Sequence, residues 1–188
     1  MRYPSGHKEA KRKDLLQASA ALIKERGFAA TGIDAMAAAA GVTSGAFYSH
    51  FGSKSALLQA LVARELQHST GLWAGHCEQS LEHWLAYVLR HYLSLDHVQH
   101  PGSGCVLPAL GAEIGRSDTA VKEVFAHELQ KGIDTLAQRL GDAQLATAVV
   151  SQLVGALVLA RAMPSAEQQR AVLDASKAVL ERLVQAQK

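Results

Sequence analysis

Thr31 to Lys54 reads TGIDAMAAAAGVTSGAFYSHFGSK, and the spacing within it decides how the rest of the chain is read. Thr31 is placed to cap a helix through its hydroxyl, with Asp34 three positions on as a near relative of the capping-box carboxylate. A helix is therefore expected from Gly32 or Ile33, with Ile33, Met36, Ala37 and Ala40 forming one narrow apolar face of mostly small residues. Gly41 ends it, because glycine readily takes the left-handed conformation that follows a helix C-terminus, and Val42 plugs the turn. Thr43 caps the next helix, in which Phe47 and Phe51 lie four apart and face inward while Ser44, Gly45, Tyr48 and Ser49 face outward. Two short helices around a glycine turn form a helix-turn-helix, whose second helix enters the DNA major groove with its N-terminal residues at the base edges.

Small outward groups let that helix approach closely, so Ser44 and Ala46 are expected to influence which sequence is preferred. Tyr48, His50 and Lys54 are expected to grip phosphates, which fix register without reading bases. The full candidate DNA-contacting set is Thr31, Thr43, Ser44, Gly45, Ala46, Tyr48, Ser49, His50 and Lys54. Gly27-Phe28, Thr31, Ile33, Gly41-Val42, Gly45, Phe47-Tyr48, His50-Phe51, Lys54 and Leu57-Leu58 together resemble the N-terminal signature of TetR-family transcriptional repressors. The resemblance covers roughly the first third of the chain. Position 44 is often Lys in such proteins and is Ser44 here, so a contact from it is weaker or absent. The resemblance implies a homodimer in which movement of the fourth helix carries a ligand signal to the recognition helices.

Charge agrees with the motif. Residues 1–64 carry nine Lys and Arg against four Asp and Glu, and residues 65–188 carry ten against thirteen. Lys8, Lys11, Arg12 and Lys13 open the basic half, where they can approach phosphate and add salt-sensitive affinity. The first helix reads from about Lys8 to Arg26, buries Leu15, Leu16, Ala18, Leu22 and Ile23, and is closed by Gly27. Ser53 caps a fourth helix with Leu57, Leu58, Leu61, Val62 and Leu66 on its apolar face. The expected division is a DNA-binding domain over 1–52 and a ligand-binding and dimerisation domain over 53–188, with 53–75 as the linking helix.

Of the 188 residues 48% are hydrophobic and only four are proline, which allows a substantial core. Sustained period-two alternation is missing, so the chain is expected to be all helical, with about nine helices. No apolar h-region follows the opening basic residues, and no apolar run reaches the eighteen or so residues of a bilayer span; the expectation is a cytoplasmic protein with no membrane partner. Two cysteines, Cys77 and Cys105, fit a reducing compartment rather than a disulfide scaffold.

Further along, 78–95 has helical spacing, 97–104 reads as a loop, 106–114 as a short and deeply buried helix, and 119–140 as an amphipathic one. Helices over 143–162 and 166–187 carry apolar residues on arcs broader than one packing face needs. Val150, Val154, Leu157, Val158, Val172, Val179 and Leu183 are therefore expected to pair with their copies across a two-fold axis. Such pairing would set two recognition helices one turn of DNA apart, matching a palindromic double-stranded operator.

Trp84, Tyr87, His91, Cys105, Leu110, Phe125 and Met163 are candidate lining residues for an apolar effector within the bundle. Cys105, near a helix N-terminus, is either a small buried hydrophobe or a thiol open to oxidants and electrophiles, as in a subset of the proteins it resembles. Nine histidines come without a carboxylate or cysteine cluster at ligand spacing, so no metal is expected. No nucleophile elbow, phosphate loop, paired-carboxylate motif or dinucleotide fingerprint occurs, so neither catalysis nor a cofactor is expected. The expected function is repression relieved by a small molecule or by thiol modification. The alternatives are a constitutive DNA-binding protein with a solid bundle and a helical enzyme using the same cavity.

Overall fold

The computed structural model describes residues 5–75 and 79–185, with side chains from residue 8 onward. Cys77, the expected helix start at Glu78 and the expected end at Gln187 lie outside the described residues. Among those described there are ten α-helices, one 3-10 turn and no strand. The helices are α1 (Ser5–Arg26), α2 (Ile33–Ala39), α3 (Ser44–Phe51), α4 (Lys54–Ala74), α5 (Leu81–Tyr92), α6 (Leu95–Gln99), α7 (Val106–Ile114), α8 (Thr119–Leu140), α9 (Ala143–Arg161) and α10 (Ala166–Gln185), and the turn is Pro101–Ser103. The helix beyond the nine expected is α6, in a stretch read as the end of one helix and a loop. It is too short for apolar periodicity to reveal it, yet its start is capped by the Ser94 hydroxyl, which accepts from His97 N–H at 3.2 Å.

Most other helices start on a similar side-chain cap: Ser53 for α4, Ser80 for α5, Asp118 for α8 and Asp142 for α9. Helix α4 packs along α8, and α9 lies between α8 and α10. The approach of α4 to α8 is close enough that a Cβ on Gly132 would stand 2.8 Å from the Trp73 ring and 3.1 Å from Thr70 Oγ1. Helix α9 is long and apolar enough to cross a membrane by length and composition alone, which the sequence reading did not anticipate. Its packing accounts for that composition: Leu145, Ala146, Val149, Val150, Leu153, Ala156, Leu157 and Ala160 are buried against the chain's own helices.

The helix-turn-helix is fastened to the larger bundle at the end of α1. Glu113 of α7 accepts main-chain N–H bonds from Phe28 at 3.0 Å and Ala29 at 2.7 Å. Its carboxylate lies so close to Gly27, where φ is +88°, that a side chain there would meet it at 2.8 Å.

Candidate DNA-reading face and cleft

Helix α2 ends as its sequence dictates. Gly41 takes φ +65°, its N–H donates to Ala38 O at 3.0 Å, and the Val42 N–H reaches back to Ala37 O at 2.9 Å, the paired bonds of a Schellman ending. Thr43 Oγ1 then accepts from Ala46 N–H at 3.2 Å to start α3. Phe47 and Phe51 turn inward, 0% and 7% exposed, with ring centroids 5.7 Å apart. On the other side of α3, Tyr48 is half exposed with its ring packed edge-on against Phe47. Gly45 and Ser49 are exposed and Ala46 half-buried.

Three candidates are placed differently from the expectation. Thr31 does not cap α2, whose N-cap is Gly32 with no side-chain bond. Its hydroxyl donates instead to Gly27 O at 2.6 Å, satisfying a carbonyl left over where α1 ends, and the residue is 2% exposed. Thr31 therefore leaves the DNA-contacting set. Asp34 accepts from the Ser44 hydroxyl across the turn, so that hydroxyl is already engaged. His50 has its Nδ1 buried without a partner, leaving Nε2 as the nitrogen a phosphate would have to reach. Lys54 holds its ammonium 4.5 Å over the Phe28 ring, and Arg12 of α1 lies 4.7 Å over the Phe51 ring. Lys8, Lys11 and Lys13 are exposed on the same helix.

A cleft of about 1140 Å³ opens between α1, α4, α5 and the segment 96–105. Tyr87, His91 and Cys105 line it. Trp84 and Leu110, each 1% exposed, are core instead: the Trp84 indole donates to Trp73 O at 3.0 Å and the Arg139 guanidinium covers its ring at 5.1 Å. Phe125 and Met163 are half-buried and lie outside the lining. Lining residues missed in the sequence include Lys24, Arg64, Glu65, Tyr92 and His97. Lys24 Nζ donates to Glu65 Oε2 at 2.6 Å and to Gly104 O at 2.8 Å. A signal for this pair existed: each charged residue sits four positions after a buried one, Ala20 and Leu61, on an otherwise apolar arc.

His97 has a fixed tautomer. Its Nε2 accepts from Cys105 N–H at 2.9 Å, so Nδ1 carries the proton donated to Tyr92 O at 2.8 Å. Burial pushes its pKa below the ordinary value, and the charges of Arg161 and Lys24 push the same way. Burial raises the Tyr92 phenol well above its usual range, helped by the neighbouring Cys105. Cys105 is half-buried and caps α7, its Sγ accepting from Leu107 N–H at 3.5 Å and lying 3.8 Å from Ser69 Oγ.

A family profile described as "Bacterial regulatory proteins, tetR family" matches residues 15–61, the stretch that contains this helix-turn-helix. Residues 15–61 therefore form a tetR-family domain. The chain's similarity to curated relatives covers more residues than that domain. It is 26% identical over 133 residues to the HTH-type transcriptional regulator UidR of Escherichia coli (strain K12), a match spanning 71% of this chain and 66%, just under two thirds, of that relative. In fold it is similar to a TetR-family transcriptional regulator from Cytophaga hutchinsonii, with a TM-score of 0.81 at 18% identity over 98% of each chain. It is also similar to the transcriptional regulator FadR from Bacillus subtilis, solved in complex with stearoyl-CoA, with a TM-score of 0.71 at 18% identity over 92% of this chain and 97% of that one.

Outside the cleft, the bundle exposes Val158, Leu159, Val179 and Leu183 at 36–57%. Val154 and Val172 beside them are half-buried. Val150 and Leu157, expected on the same surface, are 6% and 0% exposed. They lie on the stripe of Ala146, Leu153 and Ala160 that faces the chain's own core, so a second copy could not reach them.

Proposed function

We propose that this regulator is a ligand-responsive repressor that binds a palindromic operator as a homodimer and releases it when a small molecule occupies the cleft. The observation that carries the reading is where the cleft lies. Lys24 and its neighbours on α1 form one wall, and α4 and α5 form the others, so an occupant would touch the helix-turn-helix domain and the bundle together. Release then requires that the occupant favour the released arrangement over the DNA-bound one, since equal affinity for both would shift nothing. That B. subtilis FadR was solved with stearoyl-CoA supports the idea that this fold can hold a small molecule.

Binding to DNA would divide its labour. Gly45 and Ala46 admit the α3 backbone to the base edges, while Tyr48, Ser49, His50 and Lys54 reach phosphates. Ser44, tied to Asp34, contributes through position rather than as a free donor. Dimerisation would use the strip of Val154, Val158 and Leu159 on α9 with Val172, Val179 and Leu183 on α10, where Gly155 has open space before it. The site of action is the cytoplasm, where the operator is.

The test is selection of duplexes from a randomised pool by the purified chain, followed by titration of the selected duplex and a mass measurement by light scattering. A dimer that prefers an inverted repeat supports the reading. A monomer that ignores duplexes at low ionic strength overturns it.

A further inference from the structure

The unpartnered polar atoms of the cleft point to the chemistry of its ligand, granted the effector reading above. Lys24 Nζ carries three hydrogens and uses two, on Glu65 Oε2 and Gly104 O, while its side chain is only 6% exposed. Arg64, the neighbour of Glu65 on α4, has its Nη1 buried with no hydrogen-bond partner. Tyr92 Oη, buried beside the Cys105 thiol, has no hydrogen bond of ordinary geometry. All three residues line the cleft. Among the described residues the unpartnered buried atom that can only accept, Gln169 Oε1, lies outside it, whereas Arg64 Nη1 can only donate. Buried donors in excess are a standing penalty that an acceptor removes.

The charges set how much negative charge the site can take. Glu65 cancels Lys24 within a bond of 2.6 Å, and Asp96 faces His100 at 2.9 Å on the exposed side. Glu25 is exposed with its carboxyl against Gly102. Among the described lysines and arginines lining the cleft, Arg64 is the cation with no ion pair, so one negative charge is matched, whereas a second would face Glu25, Glu65 and Asp96. Apolar lining comes from Ala20, Ala21, Trp73 and Val88, with Leu72 standing 55% exposed, beside neutral polar groups such as Gln17, Ser69 and Gln99.

We infer that the cleft binds a monoanionic organic acid, its carboxylate accepting from Arg64 and from the unused hydrogen of Lys24, and its apolar body laid along Leu72 and Trp73. Such a ligand would join α1 to α4 through the Lys24–Glu65 pair.

The experiment titrates the full chain by calorimetry with three probes of one shape: 1-naphthylacetate, its uncharged amide, and 1-naphthyl phosphate as a dianion. The acid is expected to bind about tenfold more tightly than either of the others. Arg64→Gln should bring the acid down to the affinity of the amide and leave the amide unchanged, while Arg64→Lys restores part of the difference. Melting curves of both variants show whether the fold is intact. Equal or tighter binding of the amide or the phosphate, indifference of the acid to Arg64→Gln in a folded variant, or no binding of the acid at millimolar concentration each overturns the inference. An operator-release assay run alongside separates the two readings. Release by the amide keeps the effector reading and removes the acid, whereas charge-selective binding that leaves operator affinity unchanged keeps the acid and removes the effector reading.

Discussion

Thr43 performs on α3 the role that Thr31 does not perform on α2. Both are threonines before a helix, but Thr43 Oγ1 accepts from Ala46 N–H while Thr31 turns inward to Gly27 O. The first choice is local and was legible in the sequence; the second depends on a carbonyl exposed by the ending of another helix, which no spacing rule reports. Thr43→Ala is expected to lower stability by about 1 kcal/mol in a urea melt. Tyr48→Ala, which removes a half-exposed ring and its edge contact with Phe47, should cost no more than about 1 kcal/mol in that melt and weaken binding equally to specific and random duplexes; full retention of affinity would remove Tyr48 from the phosphate set. His97 carries a pH dependence with a definite sign. Its pKa in the folded chain lies below the ordinary 6.5, so the unfolded chain takes up a proton first as pH falls. The stability this residue contributes is complete above about pH 6.5 and is lost as pH falls from there toward the folded value. Thermal melts from about pH 7 to pH 5.5 should show the decline, and His97→Gln, which can still accept from Cys105 N–H, should flatten it.

At the scale of elements, α7 and α8 begin and end where the apolar pattern and its polar break place them, at Val106–Ile114 and Thr119–Leu140. Their stripes are long enough to read, whereas α6 has five residues and announces itself only through the Ser94 cap. What the pattern leaves out is which element meets which. Gly132 looks like a weak position in the middle of a helix, and its reason appears only at the crossing, where Trp73 of α4 fills the space a Cβ would need. Gly132→Ala should therefore destabilise the chain by about 1 kcal/mol or more, the gain in helix propensity being outweighed by displacement of the indole ring. Because Trp73 also lines the cleft, its fluorescence should shift in the same variant, and an unchanged emission with higher stability would contradict the packing argument.

For the whole molecule, the helical class and the helix-turn-helix were readable because each rests on short-range spacing. The cleft was not, because its walls come from four separated segments and its charged pair, Lys24 and Glu65, lies 41 residues apart in sequence. The proposed dimer face falls between these cases. An over-wide apolar arc signals more apolar surface than one packing face needs, but only the folded chain separates Val150 and Leu157, which serve its own core, from Val158, Leu159, Val179 and Leu183, which remain uncovered. That separation gives two contrasting variants. Val158→Glu with Leu183→Glu places charges where nothing in the chain is displaced, so the helical content and melting of the isolated subunit should persist. In a paired arrangement the same charges would lie in a desolvated seam facing their own copies. The expected outcome is a monomer by light scattering, with loss of preference for an inverted repeat and residual, salt-sensitive binding to any duplex. Leu157→Glu, by contrast, buries a charge in the core and should unfold the subunit itself. Should the double variant remain dimeric, the association surface lies elsewhere than on α9 and α10.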